Sequence, residues 1–466
     1  MHLLFISLLS IFSSFSVGNS LPDLGNETAG FTNQQEMVLG KTWLRGFRRS
    51  VDELNSPLLI DYLNKHIQNL KQYTTLHSAP ISHIVIDDRS LNAFAVPGHI
   101  MGINSGLFLT AGDETQFLSV ISHELAHLEL KHFNQQVNKQ ADIQGLQLIT
   151  IISTMLAAQY SINMGEAILA SGMASAQSQA LSYSRSLETE ADRRATIIMK
   201  NAGYPANSVH RMLNSLMKQG LNISDAAPEY FRTHPLSESR VADSLSLESM
   251  TDIVDENSID YELILLMLSS HHGFPSLRSI NKPSNSAKIA KALFEIDNLL
   301  ATSQFNAAKS MLDSIPVAYR SETAFQVRLA NYYHGIGNTR QALETVSTNL
   351  ALTPKSVRLI YLKAKLLKDL GQISSATQTL RELASEQRIN PWLWQKTLEY
   401  AEVGGKPWQQ LEAGLHYKWL SGEDQAALRM IENNLYSEKW TAVEKSRLKD
   451  WLEQYRAEIN LIEKTF

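Results

Sequence analysis

The 466-residue chain contains no cysteine. That absence excludes disulfide scaffolds, iron–sulfur clusters, thiol nucleophiles and cysteine-ligated zinc together. Any metal must be held by His, Asp and Glu. There is no basic excess either: 42 Lys and Arg against 47 Asp and Glu leave a formal net charge of −5, which argues against nucleic acid as a partner. No apolar run reaches the roughly 20 residues that a membrane-spanning helix needs. What remains, 44% hydrophobic and 19% charged residues, is the balance of a globular chain with packed cores rather than of a disordered or fibrous one. The length suits about two to four domains.

Charge is missing altogether from Met1 to Ser20, where Leu3 to Val17 is apolar and lightened by serines. With Gly18-Asn19-Ser20 and the helix-breaking Pro22 behind it, residues 1–20 read as a secretory signal peptide, although the usual Lys or Arg at its start is lacking. A membrane anchor is the alternative, disfavoured by the short run. An exported mature chain is expected. Further on, the apolar Leu146 to Ala158 and the small-residue Ala167 to Ala176 are separated by Gln159, Asn163 and Glu166. The 144–180 stretch therefore reads as a buried or surface-docked helical hairpin, and it leaves a peripheral membrane contact open.

Texture divides the rest into residues 21–250, a linker at 251–285 that closes on Lys282-Pro283-Ser284-Asn285, and residues 286–466. The first part mixes helical patterns with strand signals at Ser82 to Ile86 and at Asn92 to Val96, the latter closed by Pro97-Gly98. The last part is all helix and it repeats. Ser303, Gly337, Gly371 and Gly405 stand 34 residues apart, as do Ala308, Ala342 and Ala376. A small residue at a turn with Ala five positions later marks tetratricopeptide repeats, because a larger side chain would force the two helix axes apart where they cross. Gly422 with Ala427 keeps the offset but breaks the period. About four repeats are expected; a generic helical bundle is the alternative. Such solenoids offer a concave face to extended peptides or partner segments.

The chemistry lies in Phe117-Leu-Ser-Val-Ile-Ser-His123-Glu124-Leu-Ala-His127. Leu118, Ile121, Leu125 and Leu128 recur at helical spacing, which predicts an amphipathic helix with one buried face. His123 and His127, at i and i+4, project from one side about one turn apart, so their imidazoles can share a zinc ion. Glu124 points past the metal to where an attacking water would sit, and it can take that water's proton. Downstream, Glu188 and Asp192 are again i and i+4 on a predicted helix. Glu188 can complete a His₂Glu site with the fourth position open for water. Asp192 can accept the second-nitrogen proton of a ligand imidazole and fix its tautomer. Glu190 competes for the ligand role, but it faces away from Asp192.

These strings, together with Asn92-Ala-Phe-Ala-Val-Pro-Gly98, Gly106-Leu107 and Thr233-His-Pro235, resemble the gluzincin metallopeptidases, and among them the family of the CAAX prenyl protease and HtpX. The signal sequence before and the repeats after are similar to the branch of periplasmic β-barrel assembly-enhancing proteases. The resemblance implies one zinc per chain at His123, His127 and Glu188, with Glu124 as general base and Asp192 as a second catalytic or proton-donating group. It implies that His234 occupies the fourth zinc position and holds the enzyme off; a loop histidine capped by Pro235 is the alternative. It places Asn92-Ala93 on an edge strand that pairs with extended substrate, a role suited to unpaired backbone groups. His99 departs from the pattern, since a second Gly often follows Pro-Gly there. The implied function is a periplasmic zinc metalloendopeptidase acting in outer-membrane protein assembly and in degrading misassembled outer-membrane proteins. Unfolded or stalled outer-membrane proteins would be its substrates, and the β-barrel assembly machinery would be a partner through the repeats. A repeat-based assembly or chaperone factor with a rarely used peptidase site is the rival. The expected fold class is mainly α: an α+β peptidase domain with a small edge-strand sheet, followed by an all-α tetratricopeptide solenoid.

Overall fold

Local sequence signals set the helix starts. Thr32 opens α1 (Asn33–Phe47) with a capping box: its hydroxyl accepts from Gln35 N at 3.2 Å while Gln35 Oε1 accepts from Thr32 N at 2.9 Å. Pro57, whose missing N–H costs nothing at a helix start, begins α2 (Pro57–Lys71), which buries Leu59, Leu63, Ile67 and Leu70. The computed structural model describes residues 32–139, 185–220, 230, 234–246, 257–273, 284–387 and 389–465. The signal stretch 1–20, the 144–180 tract and Thr233 lie outside the described residues.

Three strands follow: β1 (Ser82–Ile86), β2 (Ala93–Val96) and β3 (Ile100–Asn104), in the order β1-β3-β2. β3 runs parallel to β1 and antiparallel to β2, with Val96 opposite Ile100. The connecting turn Pro97-Gly98-His99 needs two left-handed residues, Gly98 at φ 80° and His99 at φ 58°. A glycine would take the second position without the cost of about 1 kcal/mol that a side chain meets there. Helix α1 rests directly on this turn. A Cβ on Gly40 would stand 1.9 Å from the Pro97 carbonyl oxygen, so only glycine permits the approach.

Then come α3 (Ser105–Thr110), α4 (Glu114–Glu129), α5 (His132–Lys139), α6 (Arg185–Asn201), α7 (Ser208–Gly220), α8 (Glu238–Ser246) and α9 (Ile259–His271). Leu63, Phe108, Phe117, Ile121, Leu125, Ala191 and Ile198 form one core, which Tyr261 and Leu268 of α9 complete. The segment 251–285, read above as a linker, thus contributes a helix packed into the first unit. The opposite face of α9, through Ile259 and Leu263, packs on the first repeat helices.

The remaining helices pair antiparallel as α10 (Asn285–Ala301) with α11 (Phe305–Ser314), α12 (Thr323–Gly335) with α13 (Thr339–Leu352), α14 (Val357–Asp369) with α15 (Ile373–Glu386), and α16 (Pro391–Val403) with α17 (Pro407–Leu420). Helices α18 (Asp424–Leu435) and α19 (Ala442–Thr465) close the array. Ser303, Gly337, Gly371 and Gly405 sit at the turn inside each pair, all with positive φ. Ala308, Ala342 and Ala376 are fully buried. Gly422 is out of period because its turn joins α17 to α18 rather than the two halves of a pair.

Arginines dock this array on the first unit. Arg358, at the start of α14, meets Asp61 of α2 at 3.0 Å and Asp260 of α9 at 2.7 Å. Arg45 of α1 lies 4.1 Å over the Trp419 ring and 3.1 Å from Glu458. Among the described residues the architecture is mainly α with one small sheet, as the sequence led us to expect.

Candidate metal centre

Helix α4 carries the paired histidines. Asp113 caps it by accepting from Gln116 N at 2.9 Å. Contrary to the amphipathic pattern expected, the helix is buried on every side from Glu114 to His127, because α2, α6, α7 and β2 all pack around it. Glu129 at its end accepts from Nε and Nη2 of Arg194, at 2.6 and 2.9 Å, and so fixes α6 alongside. That packing brings the second helix's carboxylates to the histidines.

His123, His127, Glu188 and His234 each turn one ligand atom inward, all within 4.8 Å of one another. His127 Nε2 is 2.9 Å from His123 Nε2, and His123 Nε2 is 3.3 Å from His234 Nδ1. Glu188 Oε2 stands 3.3 Å from His123 Nε2 and 3.2 Å from His234 Nδ1. Asp192 Oδ1 lies 3.0 Å from His123 Nδ1, on the side of the ring away from the cluster. Glu190, the competitor, is half-exposed and stands 3.4 Å from His132 Nε2 rather than among the four clustered residues.

This donor set fits a divalent cation. Three imidazoles and a carboxylate, all buried, converge where the protein offers mainly lone pairs. Glu124 is buried as well, and neither of its oxygens accepts a hydrogen bond, although His234 Nε2 stands 3.4 Å from Oε1. A buried carboxylate left so poorly satisfied is costly unless a ligand or water meets it.

Electrostatics at the cluster follow from burial and from these neighbours. Without a metal, burial opposes charge on His123, but the hydrogen bonds it donates to Asp192 and Glu188 outweigh it and push its pKa up to about 10. Burial and the charged His123 hold His127 well below the ordinary range. Burial raises Glu124, against the pull of His234 and His123. Glu188 stays well below the usual carboxylate range because His234, His123 and His127 overcome its burial. Asp192 is lowered, its burial outweighed by Arg240.

Three residues at the centre escaped the sequence reading. Arg240, 1% exposed, meets Asp192 through Nε at 2.7 Å and Glu188 through Nη1 at 3.0 Å; three buried carboxylates, Glu124, Glu188 and Asp192, require a cation of this kind. Tyr230 stacks on the His234 ring with centroids 4.7 Å apart, and its carbonyl accepts from His234 N at 2.8 Å. His132 is fully buried with Nδ1 2.8 Å from His127 Nδ1. It is reached past Lys131 in a left-handed turn (φ 51°), so helical periodicity could not find it. A partner on the far nitrogen of a ligand imidazole orients the ring. His132→Phe is therefore expected to lower metal affinity by about 10- to 100-fold, read by competition with a chelator.

The residues expected to pair with substrate, Asn92 and Ala93, stand nearby. β2 is an edge of the sheet, with Asn92 just before it, and Asn92 to Val96 are all buried. His127 and Ala95 to His99 line one cleft.

Comparison with known proteins agrees with this geometry. Residues 57–248 match peptidase family M48. The β-barrel assembly-enhancing protease of Escherichia coli is 30% identical over 248 residues, 53% of this chain and 50% of that protein. Its counterpart in Yersinia pestis is 28% identical over 225 residues, 48% and 46% of the two chains. The mitochondrial metalloendopeptidase OMA1 of Arabidopsis thaliana is 26% identical over 208 residues, 45% and 37% of the two chains. The chain spans about half the length of the curated relatives it matches. The stretch that folds around these histidines, residues 57–248, is the one that is similar to peptidase family M48.

Proposed function

We propose that the chain is an exported, zinc-dependent metalloendopeptidase of the periplasm that acts on unfolded or stalled outer-membrane proteins. The observation that carries this reading is the convergence of His123, His127 and Glu188 beside the buried Glu124 carboxylate. On this reading residues 1–20 are removed as a signal peptide, 21–250 form the peptidase, 251–285 join the halves, and the helical pairs of 286–466 are tetratricopeptide repeats that grip the β-barrel assembly machinery. The names of the Escherichia coli and Yersinia pestis relatives support the assembly context.

His123, His127 and Glu188 would hold one zinc ion. Zinc at that position supplies polarisation of the scissile carbonyl and activation of a water. Glu124 takes the proton of the attacking water and passes it to the leaving amine. Asp192, held by Arg240, keeps the His123 ring in the tautomer that presents Nε2 inward. A substrate strand would lie along Asn92-Ala93. The test is cleavage of an unfolded outer-membrane protein by the purified mature chain, abolished by a chelator and restored by zinc. Cleavage indifferent to the chelator would refute the reading.

A second reading is favoured by one specific observation: His234 sits within the ligand cluster. In it the chain works chiefly as an assembly or chaperone factor with a self-inhibited site. Under either reading His234 occupies the position a substrate carbonyl needs. His234→Ala is expected to raise proteolysis several-fold in a casein-type assay; a fall would assign His234 a catalytic role instead.

A further inference from the structure

Helix α9 ends on two adjacent histidines that the M48 centre does not use. His271 is its last residue and His272 its C-cap. Both face Asp87, in the loop that leaves β1. His271 Nε2 lies 2.8 Å from Asp87 Oδ2, and His272 Nε2 lies 3.8 Å from Asp87 Oδ1. One ligand atom from each of the three residues falls within 4.8 Å of the others. His272 is buried and its Nε2 also stands 2.8 Å from Ser105 Oγ, which in turn donates to the Asp88 carbonyl at 2.9 Å. Ser105 thus holds the ring at the nitrogen that faces Asp87, and a metal would take that nitrogen over from Ser105 with loss of its proton. The His271 side chain is 44% exposed and that of Asp87 27%, which leaves one side of the group open to solvent.

The arrangement suits a cation better than a simple ion pair. Two imidazoles and one carboxylate with an open position are the donor set of a first-row transition ion. Ligand atoms around a tetrahedral ion stand about 3.3 Å apart, between the 2.8 and 3.8 Å observed. Carbonyl groups at the end of a helix add negative partial charge at this point. Asp88 adds to it and Arg89 opposes it.

We propose that Asp87, His271 and His272 form a second divalent transition-metal site. Its place in the fold gives it a purpose. Helix α9 is shared by the peptidase core, through Tyr261 and Leu268, and by the first repeat helices, through Ile259 and Leu263. A metal there clasps the end of that shared helix to the β1–α3 region and braces the junction of the two halves. The site shares no ligand with His123, His127 and Glu188 and does not rest on the proposed peptidase activity.

Equilibrium dialysis of the tag-free full chain against Zn²⁺ tests it, with His271→Ala chosen because that side chain is exposed. The wild type is expected to retain two equivalents, His271→Ala one, Glu188→Gln one and the double variant none. In Glu188→Gln, added Zn²⁺ should still raise the melting temperature, and His271→Ala should remove that rise. Asp87→Asn checks the same loss from the other side of the site. Equal zinc retention by wild type and His271→Ala would overturn the second site. Two equivalents retained by Glu188→Gln would instead count against the M48 centre and leave this one standing.

Discussion

Glu124→Gln is expected to fold, to keep its metal, and to lose peptide cleavage by about 100- to 10,000-fold in kcat, the usual worth of a positioned general base. Glu124 lies between the two histidines proposed as ligands on α4, is 1% exposed, and has no hydrogen-bond partner on either oxygen. A glutamine of the same shape removes the proton acceptor without opening a cavity. It also relieves the burial cost that raises the Glu124 pKa, so the variant should be at least as stable as the wild type. Steady-state cleavage, metal content and a melting curve on one preparation separate these effects. Undiminished cleavage would end the proposed role of Glu124. Restoration of outer-membrane protein assembly in cells by the same variant would favour the chaperone reading.

The second large effect is structural. Arg240 is 1% exposed and neutralises Asp192 and Glu188 together, at 2.7 and 3.0 Å. It also donates to the Pro235 carbonyl at 3.0 Å, next to His234. Arg240→Ala leaves two buried carboxylates short of their cation, a loss of about 3–5 kcal/mol when one partner of a buried ion pair is removed. Urea unfolding of the chelated protein reads this directly, and added zinc should recover part of it, since metal binds only the folded form. A variant as stable as the wild type without metal would show that Arg240 is not the cation that balances the cluster.

How much of this was legible depended on whether the signal was periodic. His123 and His127, Glu188 and Asp192 are each one helical turn apart, and the packing of α4 on α6 brings those two pairs together. The repeat turns were legible for the same reason, because each needs a residue of positive φ at a constant interval. His132, Tyr230 and Arg240 carry no such mark. They reach the centre through tertiary packing: His132 across a left-handed residue, Tyr230 by stacking on His234, and Arg240 from the helix that follows Pro235. The 251–285 segment hid its role in the same way. Its Ile259-Asp-Tyr-Glu-Leu-Ile-Leu-Leu-Met-Leu run is apolar on both sides, as suits a helix wedged between two cores, whereas the expected signal for a packed helix was a single stripe. The burial of α4 on all sides likewise reflects neighbours that no spacing on α4 itself could reveal.

The central claim is that His123, His127 and Glu188 hold one divalent ion between α4 and α6. Its most direct test is elemental analysis of the purified chain carrying His271→Ala, with and without Glu188→Gln. The account expects one zinc per molecule in the first and none in the second, both folded by circular dichroism. A full equivalent of zinc surviving Glu188→Gln, or no retained metal in the chain with Glu188 intact, would contradict it.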